Sequence, residues 1–173
     1  LIYINQVGGQ DELVFDGSSF IINKNIEKKI YFPSWETHET ITSWYKNTEG
    51  DWECIANSYF EDKGQLSDVY SALVLGLRDY VIKNKFPGVI VGLSGGIDSA
   101  LTAAIAVDAL GSEKVRVVMM PSIYTSDESI SDAKECANNL GVSLNEVSIK
   151  ETVSDINESL KELFSSYNED ETE

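Results

Sequence analysis

From Leu66 onward, apolar residues recur at Val69, Leu73, Leu77 and Val81, the four-residue spacing that lays one stripe along a helix. Ser67 is the expected N-cap of that helix. Ahead of it, residues 1–7 and 13–23 are rich in β-branched and aromatic side chains and read as two sheet strands, with turn chemistry in Gly8-Gly9-Gln10-Asp11 between them. Between Lys24 and Lys63 the apolar positions scatter among charges, so this stretch reads as surface extension or linker. Residues 30–32 and 41–45 are its short strand candidates. Beyond it the pattern becomes a strict alternation. Strands are predicted at 89–93, 115–120 and 144–148, and helices at 99–110, near 126–140 and near 152–164, with Gly111 and Gly141 as the stops of the first two.

Such alternation predicts a parallel sheet covered by helices. The apolar runs Val89-Ile90-Val91 and Val117-Val118-Met119-Met120 suit strands buried on both faces. Residues 168–173 are acidic and weakly apolar, which predicts a disordered stub or a flexible loop. A domain boundary is expected near Asp62, giving segments 1–62 and 63–173.

Composition narrows the partners. A chain of 173 residues with 42% hydrophobic content can bury a core. Its net charge of −16 argues against duplex nucleic acid, whose phosphates require clustered Lys and Arg. No apolar run approaches the roughly 20 residues that span a bilayer, so no membrane partner is expected. Cys54 and Cys136 lie far apart without CxxC spacing, which suggests neither a disulfide framework nor a zinc site and fits a reducing cytoplasm. The chain opens at Leu1 inside an apolar run, and is expected to be an internal piece of a longer polypeptide.

The chemistry concentrates in Gly92-Leu93-Ser94-Gly95-Gly96-Ile97-Asp98-Ser99, placed between a strand and a helix start. At such a turn backbone amides converge on an anion with the helix dipole behind them. Glycines allow close approach to phosphate oxygens, and the Ser94 and Ser99 hydroxyls add donors without adding charge. The loop lacks the Lys of a Walker A sequence, so Mg²⁺ is the expected counter-cation, with Asp98 as its candidate ligand. The competing reading is a glycine-rich turn in which Asp98 or Ser99 is merely an N-cap.

The pattern SGGxDS after a strand resembles the pyrophosphate loop of the ATP pyrophosphatases, which cleave ATP between the α and β phosphates. Two flanks are similar to the glutamine-dependent NAD synthetases within that group. Asn5-Gln-Val-Gly-Gly-Gln-Asp-Glu-Leu-Val-Phe-Asp-Gly-Ser18 resembles late strands of their nitrilase-type glutaminase domain. Met120-Pro-Ser-Ile-Tyr-Thr-Ser-Asp-Glu-Ser129, leading into Asp132-Ala133, resembles the segment after their second synthetase strand, which borders the ATP site.

The resemblance implies an α/β chain: a remnant of an αββα nitrilase-like sandwich, then the first part of a Rossmann-like nucleotide α-hydrolase domain. It implies ATP and Mg²⁺ at Gly92 to Ser99, Met120, Pro121 and Ser122, with deamido-NAD and glutamine or ammonia as substrates. A homo-oligomer is implied as well. The family's Glu-Lys-Cys glutaminase triad and its downstream Asn-x-Gln-x-Arg-type segment find no match here, so the chain alone is expected to be inactive. The alternatives are another ATP pyrophosphatase, of amidotransferase or tRNA-thiolating type, and a nucleotide-binding module without a reaction.

Other polar groups are given structural roles. Asp11, Glu12 and Asp16 read as solvated turn carboxylates, and His38 and Cys54 as structural or incidental. Tyr3, Trp35, Trp44 and Trp52 read as packing residues. Thr125-x-x-Glu128 has capping-box spacing.

Overall fold

The computed structural model describes residues 1–24, 26, 29–59 and 63–163. The chain forms two compact units, Leu1–Pro87 and Gly88–Glu173. Residue 62, where the sequence suggested a boundary, lies outside the described residues, as do 164 and the acidic 168–173.

The first unit holds β1 (Ile2–Tyr3), β2 (Val7–Gln10), β3 (Leu13–Asp16), β4 (Phe20–Ile22), β5 (Lys29–Tyr31), β6 (Ser43–Lys46), β7 (Trp52–Ile55) and α1 (Gln65–Lys83). Antiparallel pairing gives a sheet of order β1-β4-β5 and the hairpins β2-β3 and β6-β7. Residues 1–7 are therefore not one strand. Ile2 and Tyr3 pair with β4, Leu1 exchanges hydrogen bonds with Ile22 beside them, and the chain then breaks before β2.

Gly8 to Gln10 belong to β2 and not to a turn, which falls at Asp11 and Glu12. The reason is packing. A Cβ on Gly9 would lie 3.1 Å from Gly76 Cα and 3.2 Å from Asp79 Cβ of α1, so the glycine is where helix and hairpin touch. The Gly9 amide donates to Asp79 Oδ2 at 2.8 Å, and Lys83 Nζ donates to the Gly9 carbonyl. Lys83 also pairs with Asp79 at 3.1 Å, one turn apart on the helix.

Burial pushes the Asp79 carboxyl up, but the Gly9 amide, the Lys83 ammonium and nearby Arg78 outweigh it and hold the pKa below the ordinary value. A depressed folded pKa stabilises above the unfolded value of ~3.9 and loses that contribution as pH falls through the folded one. Asp79→Ala should therefore cost about 1–3 kcal/mol at neutral pH. In urea titrations the gap between parent and variant should close in acid; a gap that persists there would contradict the assignment.

The helix begins at Gln65 behind Gly64 with no side-chain cap, so Ser67 lies within the first turn and does not cap. Leu75 and Val81 are its buried residues, whereas Val69 and Leu73 remain half exposed. The apolar stripe is thus only partly used.

Within the stretch read as a linker, the described residues 29–59 contain more order than that. Ile21, Ile30 and Cys54 form a small core with Phe32, Trp44 and Ala56 against it, and burial raises the Cys54 pKa. The β6-β7 turn is closed by Asn47, whose side chain accepts from the Glu49 and Asp51 amides. His38 stacks on Phe32 and meets the Tyr59 ring at a tilt of 58°. Asp16 is no solvated turn carboxylate, since it accepts from Asn5 Nδ2 at 3.0 Å and Ser18 Oγ at 2.6 Å. Trp52 is mostly exposed beneath Lys46 rather than packed in the core.

The second unit alternates β8 (Val89–Gly92), α2 (Ile97–Leu110), β9 (Val115–Met119), α3 (Asp127–Leu140), β10 (Ser143–Glu146) and α4 (Lys150–Leu160). The three strands form a parallel sheet of order β10-β9-β8. The predicted α/β alternation is present. Central β9 buries Val115, Val117 and Met119. Edge strand β8 does not meet the two-sided burial expected of it, because Ile90 is 73% exposed and no strand pairs on its other side among the described residues.

Candidate functional site

The two loops that the sequence singled out emerge at the carboxyl ends of β8 and β9, neighbours in the sheet. In open α/β sheets this is the edge where ligands bind. Gly92 ends β8, and buried Leu93 prolongs the pairing by donating its amide to Val118 O at 2.9 Å. A Cβ built on Gly92 would lie 3.7 Å from Met120 Cε, so the first residue after β9 adjoins the start of the loop. Met120 is half exposed, Pro121 is buried, and Ser122 receives the Tyr124 amide on its hydroxyl.

Ser94 and Ser99 clasp the loop. Their hydroxyls are 3.0 Å apart, Ser99 Oγ accepts from the Ser94 amide at 3.1 Å, and it donates to Gly96 O at 2.9 Å. The Gly96 amide leans on Ser94 Oγ at 3.3 Å. Helix α2 starts behind Gly96 with no side-chain cap. Its first-turn amides, those of Ile97 and Asp98, have no carbonyl one turn back within the helix to accept them. Neither Asp98 nor Ser99 serves as the N-cap of the competing reading.

Gly95 has φ +90°, and a Cβ there would sit 2.3 Å from Ser129 O and 2.8 Å from Ser129 Cα. Only glycine fits, on grounds of both backbone angle and space. The Asp98 carboxylate is exposed in the first turn of α2, and among the described residues it has no hydrogen bond or ion pair; Thr102 instead donates to the Asp98 carbonyl. The fold therefore leaves that charge uncommitted beside a loop suited to an anion. No group of three or more His, Cys, Asp or Glu able to hold a metal occurs among the described residues. A magnesium ion here would have to share its ligands with a bound phosphate, the usual arrangement for that ion.

The capping role of one residue near the loop, Ser126, was not read from the sequence. The cap of α3 is Ser126, whose hydroxyl accepts from the Ser129 amide at 3.1 Å. Thr125 is taken up in a local turn, accepting from the Ser122 amide at 2.9 Å, so the Thr125–Glu128 capping box does not form. The signal for Ser126 was present in its position just before the predicted helix, but Thr125 offered the same chemistry one residue earlier. Among the described residues no helix is long and apolar enough to cross a membrane.

Comparison with known proteins gives consistent matches. The NAD synthase family model matches residues 69–172. The glutamine-dependent NAD(+) synthetase of Acinetobacter baylyi is 44% identical over 173 residues, covering 100% of this chain and 31% of that protein. The enzyme of the same name from Thermotoga maritima is 37% identical over 205 residues, covering 100% of this chain and 35% of that protein. The chain thus spans about a third of the curated relatives it matches. Among solved structures, the glutamine-dependent NAD+ synthetase of Acinetobacter baumannii in complex with ADP superposes with a TM-score of 0.87 at 42% identity, over 98% of this chain and 32% of that one. That of Cytophaga hutchinsonii, at 18% identity and a TM-score of 0.71 over 95% of this chain and 33% of that one, shares the fold. With more than half of its length matched by the family model, and both units matched across the relatives, the chain belongs to the NAD synthase family.

Proposed function

We propose that this chain supplies the ATP pyrophosphate site of a glutamine-dependent NAD synthetase. The observation that carries the reading is the clasped loop from Ser94 to Ser99, with open first-turn amides at the carboxyl end of β8. It is supported by relatives of 37–44% identity bearing that name and by the ADP complex of the Acinetobacter baumannii enzyme.

In the proposed reaction a nicotinate carboxylate oxygen of deamido-NAD attacks the α-phosphorus of ATP. The bond from that phosphorus to the oxygen bridging the β-phosphate breaks, and pyrophosphate leaves. Ammonia, released from glutamine, then attacks the acyl carbon; the carbon–oxygen bond to AMP breaks and the nitrogen loses its proton. The loop amides and the Ser94 hydroxyl would hold the departing pyrophosphate, whose charge grows as the bridge breaks. Met120, Pro121 and Ser122 would border the nucleotide from the β9 side. Magnesium, when bound, would neutralise phosphate charge, and Asp98 would be its ligand from this chain. Segment 1–62 would belong to the glutaminase part and 63–173 to the synthetase part. The partners are small molecules, in a homo-oligomeric enzyme.

The test is an assay of the full-length enzyme with deamido-NAD, ATP and glutamine. NAD should appear together with AMP and pyrophosphate. Formation of ADP and inorganic phosphate instead would remove the pyrophosphatase reading.

A further inference from the structure

The loop does not stand free. Its Gly95 backbone lies against the first turn of α3, so close to the carbonyl and Cα of Ser129 that no side chain could intervene. That turn is capped by a single hydroxyl. Ser126 Oγ accepts the Ser129 amide at 3.1 Å and donates to Ser129 Oγ at 2.9 Å, and the next amide, Ile130, bonds to the Ser126 carbonyl at 3.2 Å. The body of α3 is held by buried Ala133 and Ala137, but both lie beyond Ser129, and ahead of them α3 has only the partly buried Ser129 and Ile130. A first turn without buried anchors depends on its cap, since its amides have no partners inside the helix. Ser126 is itself exposed, so its hydroxyl does not serve by filling space.

We propose that Ser126 is a positioning residue for the phosphate loop: by capping α3 it fixes the Ser129 backbone, and that backbone is the wall that holds Gly95. The proposal deepens the ATP reading above and rests on it. A loop held in its binding shape before the ligand arrives gives up less freedom on binding. Removing the cap therefore weakens ATP binding without touching the other substrate.

The experiment compares Ser126→Ala and Ser126→Thr with the parent full-length enzyme. In Ser126→Ala the KM for ATP should rise about fivefold, the equivalent of the ~1 kcal/mol a lost cap is worth. The KM for deamido-NAD should stay within about twofold, a change below ~0.5 kcal/mol, and Ser126→Thr, which keeps a capping hydroxyl, should return the ATP value toward the parent's. An unchanged ATP KM in Ser126→Ala, or equal changes for both substrates, would overturn the proposal and leave Ser126 an ordinary cap. Amide hydrogen exchange without substrate gives an independent reading: Ser126→Ala should speed exchange at residues 94–99, and unchanged rates there would count against the brace. Because that measurement needs no turnover, it remains valid even if the parent made ADP, an outcome that would sink the ATP pyrophosphatase reading alone.

Discussion

Gly95→Ala should reduce kcat/KM for ATP about a hundredfold or more, which is ~2.7 kcal/mol of transition-state stabilisation, each tenfold being ~1.4 kcal/mol. Two costs combine at this position. The φ of +90° is one that an L side chain rarely adopts, and the new methyl would be driven into the Ser129 carbonyl at 2.3 Å. Because the obstacle is backbone, no rotamer change relieves it; the loop or the first turn of α3 must move. Movement of the loop separates the Ser94 and Ser99 hydroxyls from the amides they organise. The control is Gly111→Ala, at φ +83° but with nothing within 4 Å of the added Cβ. It carries the backbone cost alone, and should lower the melting temperature while leaving ATP kinetics near the parent's. Equal kinetic losses in both variants would mean that the contact with Ser129 is irrelevant.

The second large effect is expected at Asp98. Asp98→Asn preserves shape and removes the charge, and since the carboxylate engages no partner among the described residues, the melting temperature should stay close to the parent's. Turnover should fall about tenfold or more if the charge serves a magnesium ion on the phosphates. Added Mg²⁺ should recover part of the loss, because a weakened site fills at higher concentration. Unchanged turnover at low Mg²⁺ would strike Asp98 from the site and leave the anion to the loop amides and hydroxyls.

The second unit was legible because its signals are local. Gly111 and Gly141 end their helices where the sequence put the stops, and the strands between them carry the apolar runs of a parallel sheet. The first unit was harder for a physical reason. Its strands are two to four residues long and mix Trp with Lys, as in Ser43–Lys46, or with Glu, as in Trp52–Ile55, so neither periodicity nor composition separates them from loop. Gly8 and Gly9 were read as a turn because that is where glycines usually fall. Their use against Gly76, Asp79 and Lys83 depends on a helix some seventy residues away, which no local window contains. The phosphate loop was visible as a motif, yet its dependence on Ser129 was not, since only tertiary contact makes that carbonyl a neighbour of Gly95.

The exposed edge of β8 has a colloidal consequence. Among the described residues β8 pairs on one side only, so in the 173-residue chain by itself its outer amides and carbonyls, with the exposed Ile90 beside them, are open to any extended segment that drifts near. What opposes self-association is the charge of −16, which makes copies of the chain repel one another. That repulsion reaches only about 8 Å at physiological ionic strength and about 3 Å in molar salt. Added salt therefore strips away the long-range guard while leaving the short-range edge intact, so the buffers that would ordinarily quiet an acidic protein are those in which the 173-residue chain by itself is most exposed to its own copies.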